Sequence, residues 1–231
     1  MNKHIAKPII AAALLSCTQF ASAIPLADLF GGGTLIAGNG ITFSGFSLTN
    51  DDFDASLVEV TATGTGLNFN AGQSIGLADT NGATGIGSLW FNYIVSAAPS
   101  NTLVGASMSV ESDHFPCSGD PSCGSPPAQT GYSLVWKEIF TLAGTGIADI
   151  AALQGSPQFA PIDTTPTSVG LDGASFMVDD YIAIDVGEFE SGNVYFWAQN
   201  FSQRENQVPV PATLALFGLG LLGLGFSRRK A

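Results

Sequence analysis

Four groups of residues have types and spacings that could do chemistry. Asp51, Asp52 and Asp54 follow Asn50 in a turn-like stretch, and Asp179, Asp180 and Asp185 form a second acidic group. Carboxylates this close can chelate Ca²⁺, a hard cation that takes roughly six to eight oxygen ligands. The competing reading is a solvated acidic loop. With Asp52 as the first position of a calcium loop, Leu57 stands where that loop needs glycine. Cys117 and Cys123 flank five residues that include Gly119 and Pro121, so the chain between them can turn back. In an oxidising compartment they are expected to pair as a disulfide. His114 lies three residues before Cys117, and a metal site there would have no fourth ligand nearby. Trp90, Trp136 and Trp197 could stack on sugar rings, but each lies in a strand-like run that equally suits a core.

Several reaction classes are excluded by what these groups lack. The chain has no Gly-x-Ser-x-Gly elbow, no His-Glu-x-x-His pair, no phosphate-binding loop and no dinucleotide fingerprint. His114 is the one histidine outside the first 23 residues, so a Ser-His-Asp machine would have to be built around it. Glycoside hydrolysis needs two facing carboxylates, and nothing in the spacing of 19 acidic residues singles out a pair. The sequence therefore assigns no catalytic residue and no cofactor, and the expected class is a non-enzymatic protein. A carbohydrate- or calcium-binding adhesion module is the second expectation, and a secreted hydrolase the third.

The elements that must position such groups lie in a body with a peculiar charge. The chain has 231 residues, 45% hydrophobic and 11% charged, with a net charge of −12. Lys3 and Lys7 sit at one end, and Arg228, Arg229 and Lys230 at the other. Residues 24–207 hold all 19 acids against only Lys137 and Arg204, a net −17. That surface excludes a nucleic-acid partner and repels anionic lipid, while remaining compatible with cations.

The body reads as one all-β domain, a sandwich or jelly roll of about eight to ten strands. Val58, Val60 and Ala62 share one face of a run, as do Ile182, Ile184 and Val186. Val104, Ala106, Met108 and Val110 alternate with small residues. Leu89 to Val95 is almost continuously apolar, the pattern of a strand buried on both faces. Ile41–Ser44, Tyr132–Leu142 and Val194–Phe201 are further strands, and Gly146–Gln154 reads as a short helix. Asn81-Gly82 and Asp172-Gly173 suit tight turns. Residues 112–130, with four prolines, read as a long loop. Thr61-x-x-Gly64-Thr65-Gly66 is echoed by Thr141-x-x-Gly144-Thr145-Gly146, a weak sign of duplicated halves.

The two ends read as addresses. Residues 1–23 form a secretory signal peptide: a basic start, an apolar Ile9–Leu15 run, and a small-x-small site at Ala21-Ser22-Ala23 for signal peptidase. Cleavage after Ala23 leaves Ile24 as the first mature residue. Leu14–Cys17 also resembles a lipobox, which would lipidate Cys17. Residues 208–231 begin Val208-Pro209-Val210-Pro211-Ala212-Thr213-Leu214, continue as a Gly/Leu-rich run to Phe226, and end in Arg228, Arg229 and Lys230. As a helix, residues 208–226 would extend about 28 Å, enough for a single transmembrane helix in a thin bilayer. The basic end would stay cytoplasmic and leave residues 24–207 outside.

This tail resembles the PEP-CTERM sorting signal of Gram-negative bacteria, which has a Val-Pro-Glu-Pro-Ala-Thr-Leu motif, a Gly/Leu-rich span and an Arg-rich end. Val210 stands where that motif has Glu. The resemblance implies recognition and processing by exosortase, a membrane-embedded cysteine protease-like transpeptidase. It further implies an inner-membrane-anchored precursor, then a place at the cell surface or in an exopolysaccharide or biofilm matrix. Gly38–Phe46 and Asn200–Gln203 resemble extracellular β domains that precede such tails. The expected organisation is a signal peptide at 1–23, an extracytoplasmic domain at 24–207 and a sorting tail at 208–231.

Overall fold

The computed structural model describes residues 22–78, 85–115, 131–155, 167–186 and 191–206. The lipobox at Cys17, nearly all of the signal peptide, the Asn81–Gly82 turn, the Cys117–Cys123 pair and the 208–231 tail lie outside these residues. Among the described residues no helix is long and apolar enough to cross a membrane.

In chain order the strands are β1 Ile24–Pro25, β2 Leu35–Ile36, β3 Thr42–Asp51, β4 Glu59–Ala62, β5 Gly66–Asn70, β6 Gly76–Ala78 and β7 Gly85–Ser96. They continue as β8 Asn101–Phe115, β9 Tyr132–Phe140, β10 Gly146–Gly155, β11 Thr167–Gly173, β12 Ser175–Val186 and β13 Ser191–Glu205. One helical turn, Leu26–Leu29, and a 3₁₀ turn, Ala55–Leu57, complete them. The first sheet runs β1-β4-β5-β13-β8-β11, with β6 also on β13. The second runs β10-β9-β12-β7-β3-β2. Every pairing is antiparallel. The two sheets form a sandwich, as the strand-rich, turn-punctuated pattern predicts.

Aromatic side chains from both sheets fill the space between them. Phe69 of the first sheet stacks on its neighbour Trp197 at 4.8 Å and meets Phe91 of the second sheet at 5.6 Å. Phe43 of the second sheet meets Phe201 of the first at 5.8 Å. All five are essentially inaccessible to solvent. Gly66 lets β5 approach β13, since a Cβ there would lie 1.7 Å from the Gln199 carbonyl oxygen.

Five local expectations are corrected. Gly146–Gln154 is not a helix but most of β10, hydrogen-bonded along β9 from Phe140 to Tyr132. The alanines there favour a helix only weakly, and the free edge of β9 overrides that preference. Leu89–Val95 is buried on one face only: Leu89, Phe91, Tyr93 and Val95 point inward, and Trp90 is exposed. In β8 the inward residues are Leu103, Ala106 and Met108, because a bulge opposite Ser202–Gln203 shifts the phase at Val104. Asp172-Gly173 is no hairpin turn, since β11 and β12 belong to different sheets. Residues 112–115 continue β8, paired with 191–194, rather than opening the loop.

The internal echo dissolves into turn chemistry. The β4–β5 turn uses Thr63, whose Oγ1 accepts from the Gly66 N–H at 2.9 Å. The β9–β10 turn uses Thr141, whose Oγ1 accepts from the Thr145 N–H at 3.1 Å, with Gly144 at φ +83°. The two threonines occupy different places in the repeated string, so the similarity does not carry a duplicated turn.

Candidate functional site

The middle of the second sheet carries a row of aromatic residues on its outward face. Tyr181 of β12 stands directly opposite Trp90 of β7 on one side and Trp136 of β9 on the other. Side chains directly opposite on antiparallel strands point the same way, so the three rings share one face. Trp90 and Trp136 are each 38% exposed. The Trp90 ring meets Tyr181 edge-on at 6.2 Å and 86°. Neighbouring strands lie about 4.8 Å apart, so two spacings part the two indoles by about 10 Å.

Two residues further along the same strands lies a polar row. Asp179 of β12 is opposite Glu138 of β9 and Asn92 of β7, and Asp149 of β10 is opposite Glu138. Three carboxylates therefore occupy directly opposed positions on three neighbouring strands. Like charges so placed destabilise a sheet. Among the described residues the only Lys and Arg are Lys137 and Arg204. Lys137 faces the core, and Arg204 lies in the other sheet with its guanidinium 4.0 Å from Asp172. Asp179 Oδ1 is buried without a hydrogen-bond partner. Burial pushes the Asp179 carboxyl above the usual range, and the charges of Glu138 and Asp180 push it the same way.

Trp90, Trp136, Tyr181, Glu138 and Asp179 together line a cleft of about 330 Å³. A second cleft, about 460 Å³, lies mainly over β8 and β13 and is lined by residues such as Ser107, Ser168, Asn200 and Gln203, with no charged side chain. Only the first combines stacking surfaces with charge.

The inward side of the same strands holds the cleft in place. Lys137 and Asp180, one residue away from Trp136 and Tyr181, are opposite one another and fully buried. Lys137 Nζ lies 3.3 Å from Asp180 Oδ1 and donates to the Tyr93 hydroxyl at 3.3 Å. Tyr93 donates to Gln199 Oε1, and the Gln199 amide donates to Asp180. Gln199 belongs to β13, so this closed ring of contacts joins β7, β9 and β12 to the opposite sheet. The ammonium also lies 5.6 Å from the Phe201 ring centre and 5.9 Å from that of Tyr93. Burial draws the Lys137 pKa down to about 8 against the pull of Asp180, and it raises that of Asp180.

The other candidate residues are placed as follows. Asp52 accepts from the Ser88 N–H at 3.0 Å, the Ser88 hydroxyl at 3.1 Å and the Asn50 amide at 3.1 Å, which hold its carboxyl below the usual range. Asp54 caps the 3₁₀ turn by accepting from the Ser56 N–H at 2.9 Å. Asp51 ends β3 opposite Leu89. Asp179 points outward, whereas Asp180 points into the core, so the second acidic group is divided between the two faces. Among the described residues no three His, Cys, Asp or Glu side chains are grouped to hold a metal ion. His114 pairs with Gly192 within β8 and β13. Of the three tryptophans, Trp197 is core and the other two line the cleft.

Comparison with known proteins locates the address rather than the ligand. Residues 207–230 match the family described as the PEP-CTERM protein-sorting motif. The chain thus carries that sorting signal, which implies an exported protein processed by exosortase from a membrane-anchored precursor. Curated proteins give no match. Among solved structures, the chain is similar to TmCBM61 in complex with beta-1,4-galactotriose, with 9% identity over 69% of this chain and 88% of that one, at a TM-score of 0.26. It is also similar to arabinose-bound MgGH51 α-L-arabinofuranosidase, with 10% identity over 68% of this chain and 23% of that one, at a TM-score of 0.19. Scores this low decide nothing about the ligand.

Proposed function

We propose that this chain is a cell-surface-sorted adhesion protein of an extracellular matrix, which binds polysaccharide on the outer face of its second sheet and does not turn it over. The observation that carries this reading is the outward-facing row Trp136–Tyr181–Trp90, with both indoles exposed. A pyranose ring presents C–H faces and a hydroxyl edge. The faces stack on indole, and the hydroxyls find acceptors in Glu138 and Asp179. A glycan lying across the strands would meet an indole about every 10 Å, a repeat suited to a disaccharide. Exposed apolar surface of this kind, rimmed by polar groups, marks interaction sites.

Among the described residues no wall stands opposite the carboxylates, which favours binding over hydrolysis. All five lining residues come from three adjacent strands of one face. A glycosidase places its two carboxyl groups on either side of the bond it cleaves. In this reading the signal peptide 1–23 takes the chain through the inner membrane and is removed after Ala23. The tail 208–231 then holds the precursor, with Arg228, Arg229 and Lys230 on the cytoplasmic side, until exosortase acts.

Electrophoresis of the exported protein through gels containing β-glucan, galactan or chitosan tests the binding. Retardation by at least one polysaccharide, lost in Trp90→Ala and Trp136→Ala, is expected. No retardation by any of them overturns the reading, as does retardation that both variants retain. Release of new reducing ends overturns its non-enzymatic part. Intact mass of the exported protein, expected to start at Ile24 and end near Pro209–Thr213, tests the processing.

A further inference from the structure

We infer that the polysaccharide taken by this face carries free amines, as in a de-N-acetylated amino-sugar polymer; this rests on the polysaccharide reading above. The aromatic row alone would suit any sugar with an open C–H face. The acidic row beside it is harder to explain for a neutral ligand. Asp149, Glu138 and Asp179 repel one another across adjacent strands, and no Lys or Arg among the described residues faces them. Neutral hydroxyls could be met by amides at no such cost, as Asn92 in the same row illustrates. A ligand ammonium would meet favourable partners of two kinds at once. It would pair with Glu138 and Asp179, which line the cleft, and lie within reach of the negative faces of Trp90, Trp136 and Tyr181. The surrounding body, at net −17, would draw in such a polymer and exclude uronic-acid or sulfated ones.

The test compares chitosan hexamer with its fully N-acetylated counterpart, which share a backbone and differ only at nitrogen. Binding to the exported protein would be measured by calorimetry at about pH 6, where glucosamine amines are largely protonated. The amine form should bind about tenfold more tightly. Glu138→Gln combined with Asp179→Asn should erase the preference, so that the two hexamers bind alike. Glu205→Gln, a surface acid on the other sheet, should leave it unchanged. Equal affinity for the two hexamers overturns the amine inference and spares the polysaccharide reading. So does a preference that survives in the double variant, because general surface charge would then suffice. Failure of both hexamers and of every neutral glycan overturns the polysaccharide reading itself.

Discussion

Residues 136–138 and 179–181 hold two opposite solutions to charge on the same pair of strands. On the inner face, Lys137 and Asp180 are buried as an ion pair, Lys137 donates to Tyr93, and the Gln199 amide donates to Asp180. On the outer face one residue away, Glu138 and Asp179 oppose each other without a described cation. The inner set pairs a cation with an anion inside the core and serves the fold. Among the described residues the outer set has no cation, and in the proposed reading a ligand supplies one. A side chain's neighbours, rather than its type, thus separate the charge paired in the core from the one opposed on the surface.

The largest effect should come from breaking the inner pair. Lys137→Met alone leaves Asp180 buried and uncompensated, and should lower the unfolding free energy by about 3–5 kcal/mol. Lys137→Met with Asp180→Leu should recover most of that in urea titration. If the single and double variants are equally unstable, the pair is not the unit described here. Next comes the aromatic row. Trp136→Ala should weaken glycan binding about 10–100-fold while costing about 2 kcal/mol of stability, less than a core tryptophan, because the indole is only partly buried. A loss of several kcal/mol would place Trp136 on the structural side of the comparison.

The smallest effect has the most informative sign. Asp179→Asn removes a like-charge contact and should raise stability by about 0.5–1 kcal/mol at neutral pH. Burial raises the Asp179 pKa in the folded protein. Its favourable contribution to folding is therefore complete below the unfolded value and is lost as pH rises through the folded one. Melting temperatures of the two proteins should accordingly converge as acidification carries the pH below the ordinary aspartate value. A variant less stable than the parent at neutral pH would mean that Asp179 is held by a contact rather than repelled. Gain of stability with loss of amine binding would be the mark of a site maintained against the preference of the fold.

How much of this was readable depended on which face carried the apolar residues. In β12, Ile182, Ile184 and Val186 marked the inward phase, and they are buried as expected. In β9 the same rule points the wrong way. The residues sharing Trp136's face include Tyr132, Leu134 and Phe140, whereas the inward set includes Ser133 and Lys137. Hydrophobicity alone would put the charged set outside and hide the site. One signal did exist: a lone lysine within a strand-like run, in a body with a single further cation. Its partner, Asp180, was separated from it by 43 positions and could not be matched by spacing. The acidic stretch at Asp51, Asp52 and Asp54 stood out because its members are adjacent, yet Asp52 is tied to Ser88 of β7 and Asp54 caps its own 3₁₀ turn.

The sequence by itself determined the β-rich class, the acidic character of the body and the sorting tail, because each is written in composition or in contiguous residues. Tertiary structure alone decided the strand order, the phase of β9 and the course of residues 146–155. It also brought Trp90, Trp136 and Tyr181 into one row. Those outcomes depend on which strands become neighbours and on the one-residue register between them, and a shift of one residue would exchange the binding face for the core.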